Sequence, residues 1–168
     1  MAALGNSHSV EHGMSGVVSL VLALHAIAGG VWVGGMFFAY MVLRPAAGAL
    51  DPPVRLALWG AVLDRFFVWV WGFVAVLAVS GLLLIHLEFA GRIAGLWHVQ
   101  AMAGLGVVMF ALFAYLVARP YRRLRAALRR GDLAQAGQAL GGVRRIVAVN
   151  LTLGLVVLAV ASAGRLVG

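Results

Sequence analysis

The chain contains 168 residues, of which 64% are hydrophobic and only 11% are charged. A water-soluble domain cannot bury this much apolar surface, so the composition excludes a soluble globular protein and predicts a lipid bilayer as the partner. Cysteine is absent, which excludes disulfides, thiolate metal sites, iron–sulfur clusters and c-type haem attachment. The net charge of +8 comes from arginine alone, and we assign it to the membrane surface and to no nucleic acid.

Four apolar stretches are long enough to cross the roughly 30 Å hydrocarbon core. In chain order they cover about residues 16–43, 66–87, 93–118 and 146–167. A polar outer tail, residues 1–15, precedes them, and residues 16–168 form one domain of four transmembrane helices. The predicted fold class is all-α, an integral membrane four-helix bundle.

The distribution of arginine predicts the orientation of this bundle. The connection between the third and fourth spans, residues 119–145, carries most of the arginines and one acid, Asp132. The positive-inside rule places this connection in the cytoplasm, so both termini lie outside, an N-out/C-out arrangement. We expect short interfacial helices near residues 58–63 and 121–140, with arginines reaching phosphate headgroups.

All five histidines then lie on the outer side of the membrane. His86 at the end of the second span and His8 and His12 in the tail occupy positions where histidine is ordinary. His25 differs, because it lies roughly 13 Å into the first span at a rise of 1.5 Å per residue. An ionisable side chain at that depth must face the bundle interior, where it either serves a function or bonds a neighbouring helix.

The neighbours of His25 favour a cofactor site. Gly29 and Trp32 share its helix face, so that Gly29 would leave room for a flat macrocycle and Trp32 would pack on the ring. A glycine at this place is equally typical of plain helix packing. In the third span His98 is followed one turn later by Met102. Because haem iron accepts His/His or His/Met axial ligands, we predict a haem b in the outer leaflet, bound by His25 and His98 with Met102 as the alternative ligand.

Two further features have two interpretations each. Arg165, at the outer end of the fourth span, is a candidate partner for haem propionates, but its position at a membrane end favours an ordinary interfacial anchor. Ala26, Gly30 and Gly34 form a ridge of small residues that is typical of close helix packing, within the bundle or in a homodimer.

A copper site is the alternative to haem. Imidazole and thioether groups suit copper, and the outer side of the predicted bundle carries several of them: His8, His12, Met14, His86 and Met102. This set predicts copper binding, copper transport or copper tolerance without a porphyrin.

The stretches "LHAIAGGVWVGGMFFAYMVLRP", "WHVQAMAGLGVVMF" and "RRIVAVNLTLGLVVLAVASAGR" resemble the small bacterial CopD-family membrane proteins, relatives of the membrane domain of copper-resistance protein D. The spacing of His25, Trp32 and Gly35 is also similar to that in HemJ, the haem-containing protoporphyrinogen oxidase. The resemblance implies a multi-pass protein of the bacterial inner membrane with functional histidines at His25 and His98. The likeness to HemJ implies haem b at His25.

From these observations we predict a membrane redox protein that transfers single electrons between a periplasmic partner and the membrane, with quinone as a candidate acceptor. Such a protein would be a haem-dependent oxidoreductase if it turned over a substrate, and no catalytic residue is assigned. Copper handling stays open beside it.

Overall fold

The computed structural model describes the backbone of residues 3–87 and 97–167 and the side chains of residues 15–87 and 97–163. Its α-helices, in chain order, are α1 (Ala3–Phe37), α2 (Arg44–Ala46), α3 (Pro52–Leu87), α4 (Trp97–Leu116), α5 (Arg122–Arg130) and α6 (Leu133–Val167). Helix α1 packs against α3, α4 packs against α6, and α6 also contacts α1 and α3. Within the described residues, four helical segments are long and apolar enough to cross a membrane. The prediction of an all-α membrane helical bundle is therefore confirmed.

The arginine-rich end of the bundle is built from nearly continuous helix. Helix α1 runs through a π-helical turn, Phe38–Leu43, into α2, and α4 runs through another, Val117–Tyr121, into α5. Pro120 lies inside the second turn. Proline has no backbone N–H and its ring crowds the preceding turn, so the wider π geometry accommodates it without ending the helix.

The chain reverses between α5 and α6 at a single glycine. Gly131 has a φ of 70°, in the left-handed region, and the N–H groups of Gly131 and Asp132 donate to carbonyls in the last turn of α5. The Asp132 carboxylate then accepts a hydrogen bond of 2.9 Å from the N–H of Gln135. This pairing of a glycine C-terminus with an aspartate N-cap stabilises both helix ends.

The helices extend beyond the spans expected from hydropathy. Helix α3 begins at Pro52 rather than near residue 66, and α6 begins at Leu133 rather than near residue 146. Proline is favourable in the first turn of a helix, and the buried side chains of Leu56, Trp59 and Leu63 continue the core along α3. The segments expected to form separate interfacial helices near residues 58–63 and beyond residue 133 are thus the ends of the long helices. The backbone of the expected outer tail is helical from Ala3.

Aromatic side chains fill the middle of the bundle. The ring of Phe113 contacts those of Trp32, Phe67 and Trp71, with centroid separations of 6.1, 5.5 and 5.1 Å. The outer surface is apolar as well, with exposed side chains that include Leu20, Ile27, Val68, Leu82 and Val107. An apolar exterior over an apolar core is the pattern expected where lipid chains are the solvent.

Candidate functional site

The imidazole of His25 points from α1 toward α3. Its Nδ1 lies 2.7 Å from Oγ of Ser80, and a Cβ placed on Gly81 would lie 3.4 Å from the ring carbon Cε1. His25 is half-buried, whereas Ser80 is one of the buried polar residues of the bundle. Ser80 and Gly81 therefore give α3 a polar contact and a small surface that together receive the imidazole.

The hydrogen bonds of Ser80 determine which nitrogen of His25 carries the proton. The hydroxyl group lies 2.6 Å from the carbonyl oxygen of Val76, one turn earlier in α3. A carbonyl oxygen only accepts, so the single hydroxyl proton of Ser80 goes to Val76 and its oxygen accepts the proton of Nδ1. In the neutral imidazole the lone pair then lies on Nε2. The arrangement presents Nε2 as an oriented nitrogen ligand.

Among the described residues, the contacts of His25 are to α3 and those of His98 are to its neighbour Trp97, so their joint ligation of one ion stays a prediction. His98 is half-buried in the first turn of α4, and its ring contacts the neighbouring Trp97 with 6.0 Å between centroids. Met102, one turn later, is half-buried, and His86 is exposed near the end of α3. Within residues 15–87 and 97–163, no three His, Asp or Glu side chains gather into a group that could hold a metal ion.

The helix face predicted to receive haem is packed by side chains of this chain. A Cβ on Gly29 would lie 3.7 Å from Cδ2 of Leu77, so α3 covers the side where a macrocycle was expected. Trp32 is buried, and its ring stacks on Phe110 with 5.8 Å between centroids. Trp32 is accounted for by core packing and Gly29 faces a side chain of α3, so these contacts give haem b no support.

Several predicted positions lie outside the described side chains. These are His8, His12 and Met14 of the candidate copper set and Arg165 of the fourth span. The ridge of small residues is described, and it faces outward. Ala26, Gly30 and Gly34 are exposed, and a Cβ on either glycine would meet nothing within 4 Å, so among the described residues the ridge makes no close packing contact within the chain.

Ser80 and Gly81 are the residues that the sequence analysis missed. They interrupt the apolar run "LAVSGLLLI", and a hydroxyl at that depth was the available signal. The hydroxyl of a serine in a transmembrane helix commonly donates its hydrogen bond to a carbonyl of its own helix. Ser80 therefore gave no reason to expect a contact with His25, which the structure shows.

At the opposite end, Asp64 ties α3 to the segment that follows α4. Its carboxylate accepts a hydrogen bond of 2.5 Å from the hydroxyl of Tyr121 and forms an ion pair with Arg125 at 2.6 Å. The guanidinium of Arg144 lies over the ring of Trp59, 5.3 Å from its centroid. These contacts hold the arginine-rich end together, and with the described side chains most of its arginines form no ion pair.

Comparison with known proteins complements this geometry. No curated protein and no solved structure matches the chain. The resemblance to HemJ is therefore not supported by these comparisons. The family model CopD, described as copper resistance protein D, matches residues 60–163. That range covers more than half of the chain and includes Ser80, Gly81, His98 and Met102. The chain belongs to the CopD family of copper-resistance membrane proteins.

Proposed function

We propose that the protein binds copper ions at the end of the bundle that carries His25, His86 and His98, the histidine end. It passes the ions into the membrane domain, and this activity contributes to copper tolerance. The observation that carries the proposal is the hydrogen bond between His25 and Ser80, which leaves Nε2 of an intramembrane imidazole as an oriented lone pair. Family membership supports copper as the ion.

The chemistry of the site suits copper better than harder cations. Copper accepts imidazole nitrogen and thioether sulfur, whereas magnesium and calcium require oxygen ligands. His25 is half-buried, so part of its side chain is not enclosed by the described residues. Residues 15–50 contain no carboxylate of the kind that hard cations need. His98 and Met102, both half-buried on α4, are the candidates for further ligands.

Ser80 is the positioning residue in this proposal. Groups that hydrogen-bond the far nitrogen of a ligating histidine fix the ring orientation and the tautomer. The Ser80 hydroxyl is itself held by the Val76 carbonyl, so the imidazole is aligned before any ion arrives. A preoriented ligand loses less conformational entropy on binding.

The entry route follows from the predicted orientation. The positive-inside rule puts the histidine end outside, where His8, His12, Met14 and His86 would present the first imidazole and thioether ligands to an incoming ion. An ion would then move from these residues to His25, which lies deeper. In this order the four outer residues bind the copper ion first, and His25 binds it next within the bundle.

The test uses the protein in lipid nanodiscs, titrated with copper(I) against a chromophoric chelator. The diagnostic variant is His25→Asn, because the asparagine amide keeps an N–H donor near the place of Nδ1 and removes Nε2. We expect the copper affinity to fall about tenfold or more, the size of effect that ligand-shell changes produce. Transport is then measured as copper uptake by proteoliposomes.

The opposite result is equally informative. If His25→Asn binds copper as tightly as the parent, and only His25→Ala lowers thermal stability, the imidazole is a structural bridge between α1 and α3 and the proposal fails. Helix content measured by circular dichroism on both variants separates loss of the ligand from loss of the fold.

A further inference from the structure

A groove opens at the arginine-rich end of the bundle. It has a volume of about 580 Å³ and lies between the π-helical turn after α4 and the first half of α6. Its walls include Arg119, Arg123, Arg145 and Gln138, together with Tyr115 and Ile146. We propose that this groove binds one anionic phospholipid from the adjoining leaflet, a role separate from the copper site at the other end.

The backbone explains why a groove exists here. Pro120 sits inside the π-helical turn, and a Cβ on Gly142 of α6 would lie 3.5 Å from the Cβ of Pro120. The two walls therefore meet at a proline and a glycine, neither of which has a long side chain to fill the space around the contact. The arginines on either side are left at its margins.

The charge of the groove calls for an anionic occupant. Its three arginines are exposed, and in the described part of the chain the one ion pair joins Arg125 to Asp64, outside the groove. The nearby carboxylate of Asp132 is engaged at the N-terminus of α6. Guanidinium groups bind phosphate oxygens through paired, charge-assisted hydrogen bonds, so a phosphate group matches the walls.

The layout of the groove favours a lipid over a soluble phosphate. Tyr115 precedes Arg119 by one helical turn, roughly 6 Å along the axis toward the membrane, and Ile146 stands beside Arg145 on the same side. Farther along these helices Val108 and Val149 are exposed, so the polar end continues into a surface that acyl chains solvate. A phospholipid would use both parts, whereas a soluble anion would use only the first.

The experiment measures lipid binding by native mass spectrometry on the full chain, released from nanodiscs of phosphatidylcholine that contain a small fraction of phosphatidylglycerol. The groove variant is Arg119→Gln combined with Arg145→Gln. The matched control is Arg122→Gln combined with Arg129→Gln, which removes the same charge from exposed arginines of α5 that do not line the groove. We expect retention of phosphatidylglycerol to fall about tenfold in the groove variant and less than twofold in the control.

Three results would overturn the proposal. Equal losses in the two double variants would mean diffuse attraction to the whole basic surface. Unchanged retention in both would mean that the groove arginines do not bind the lipid. Inorganic phosphate that displaces the bound lipid at millimolar concentration, and itself raises the melting temperature of the parent, would identify a soluble anion as the ligand. Circular dichroism and size-exclusion chromatography confirm that each variant is folded before its lipid is counted.

Discussion

Val33 and Gly154 set the distance between α1 and α6. A Cβ on Gly154 would lie 2.6 Å from Cγ2 of Val33, and both residues are buried. The two helices approach this closely because glycine leaves the space that the branched side chain occupies, a form of packing that membrane helices use widely.

Gly154→Ala should therefore destabilise the bundle by about 1–3 kcal/mol, since the valine side chain is rotationally stiff in a helix and cannot turn away without strain. Thermal unfolding in detergent, followed by circular dichroism, measures the loss. Gly72→Ala is the matched control, because a Cβ at Gly72 would meet nothing within 4 Å, and it should leave stability equal or higher. Val33→Ala should restore most of the stability lost in Gly154→Ala; a pair of additive losses would contradict the steric explanation.

Ser80→Ala should weaken copper binding by about 10–100-fold, the range seen when the group that orients a ligating histidine is removed. The matched control is Ser162→Ala. Ser162 also donates to a carbonyl one turn earlier in its own helix, at 2.9 Å, but no imidazole contacts it among the described residues. Chelator competition on both variants gives the comparison, and equal affinities for Ser80→Ala and Ser162→Ala would remove Ser80 from the site.

Tyr121→Phe should lower stability by about 1 kcal/mol, because it removes the hydroxyl that donates to the Asp64 carboxylate. Asp64 also pairs with Arg125, whose side chain is 41% exposed, so solvent screening limits the added contribution of the ion pair. Tyr115→Phe, at an exposed tyrosine, is the control and should be neutral. The melting temperatures of the two variants are compared with that of the parent. An unchanged melting temperature for Tyr121→Phe would show that water replaces the hydrogen bond without loss of stability.

Protein purified after haem-replete expression should show no Soret band, because Leu77 covers the face of α1 beside Gly29 and Trp32 is packed into the core. Absorption spectra before and after dithionite reduction, with iron and copper measured on the same sample, give the answer. A strong Soret band that disappears in His25→Ala would reverse our choice and restore haem b as the ligand of this histidine.

The sequence predicted the all-α membrane fold, and it singled out His25 without its contact to Ser80, for physical reasons. A stretch of about 20 apolar residues has few alternatives to a membrane helix, which explains the agreement on four segments able to span a membrane. Hydropathy indicates where the lipid-facing segment ends but not where the helix ends. The starts of α3 at Pro52 and of α6 at Leu133 were therefore not predicted. The depth of His25 required a partner, but the identity of that partner depended on the relative rotation of α1 and α3, which a single sequence does not give.

Burial is unevenly distributed along the bundle. Of the four largest fully buried side chains among the described residues, Leu116, Leu124, Val70 and Val143, three lie at or beyond the end of α4 or in the first third of α6. Ala127, Ala136 and Leu140 are nearly inaccessible as well. In the predicted orientation this core extends from the headgroup region toward water. There hydrophobic burial adds to the free energy of unfolding, whereas inside lipid the same contacts contribute only through van der Waals packing.

The molecule therefore has two ends that respond to different solvents. Urea, which weakens hydrophobic burial, should first loosen the arginine-rich end, where α5 packs against α6. Exchange of detergent or lipid chain length should first affect the histidine end, where, among the described side chains, packing and the Ser80 hydroxyl hold α1 and α3 in register.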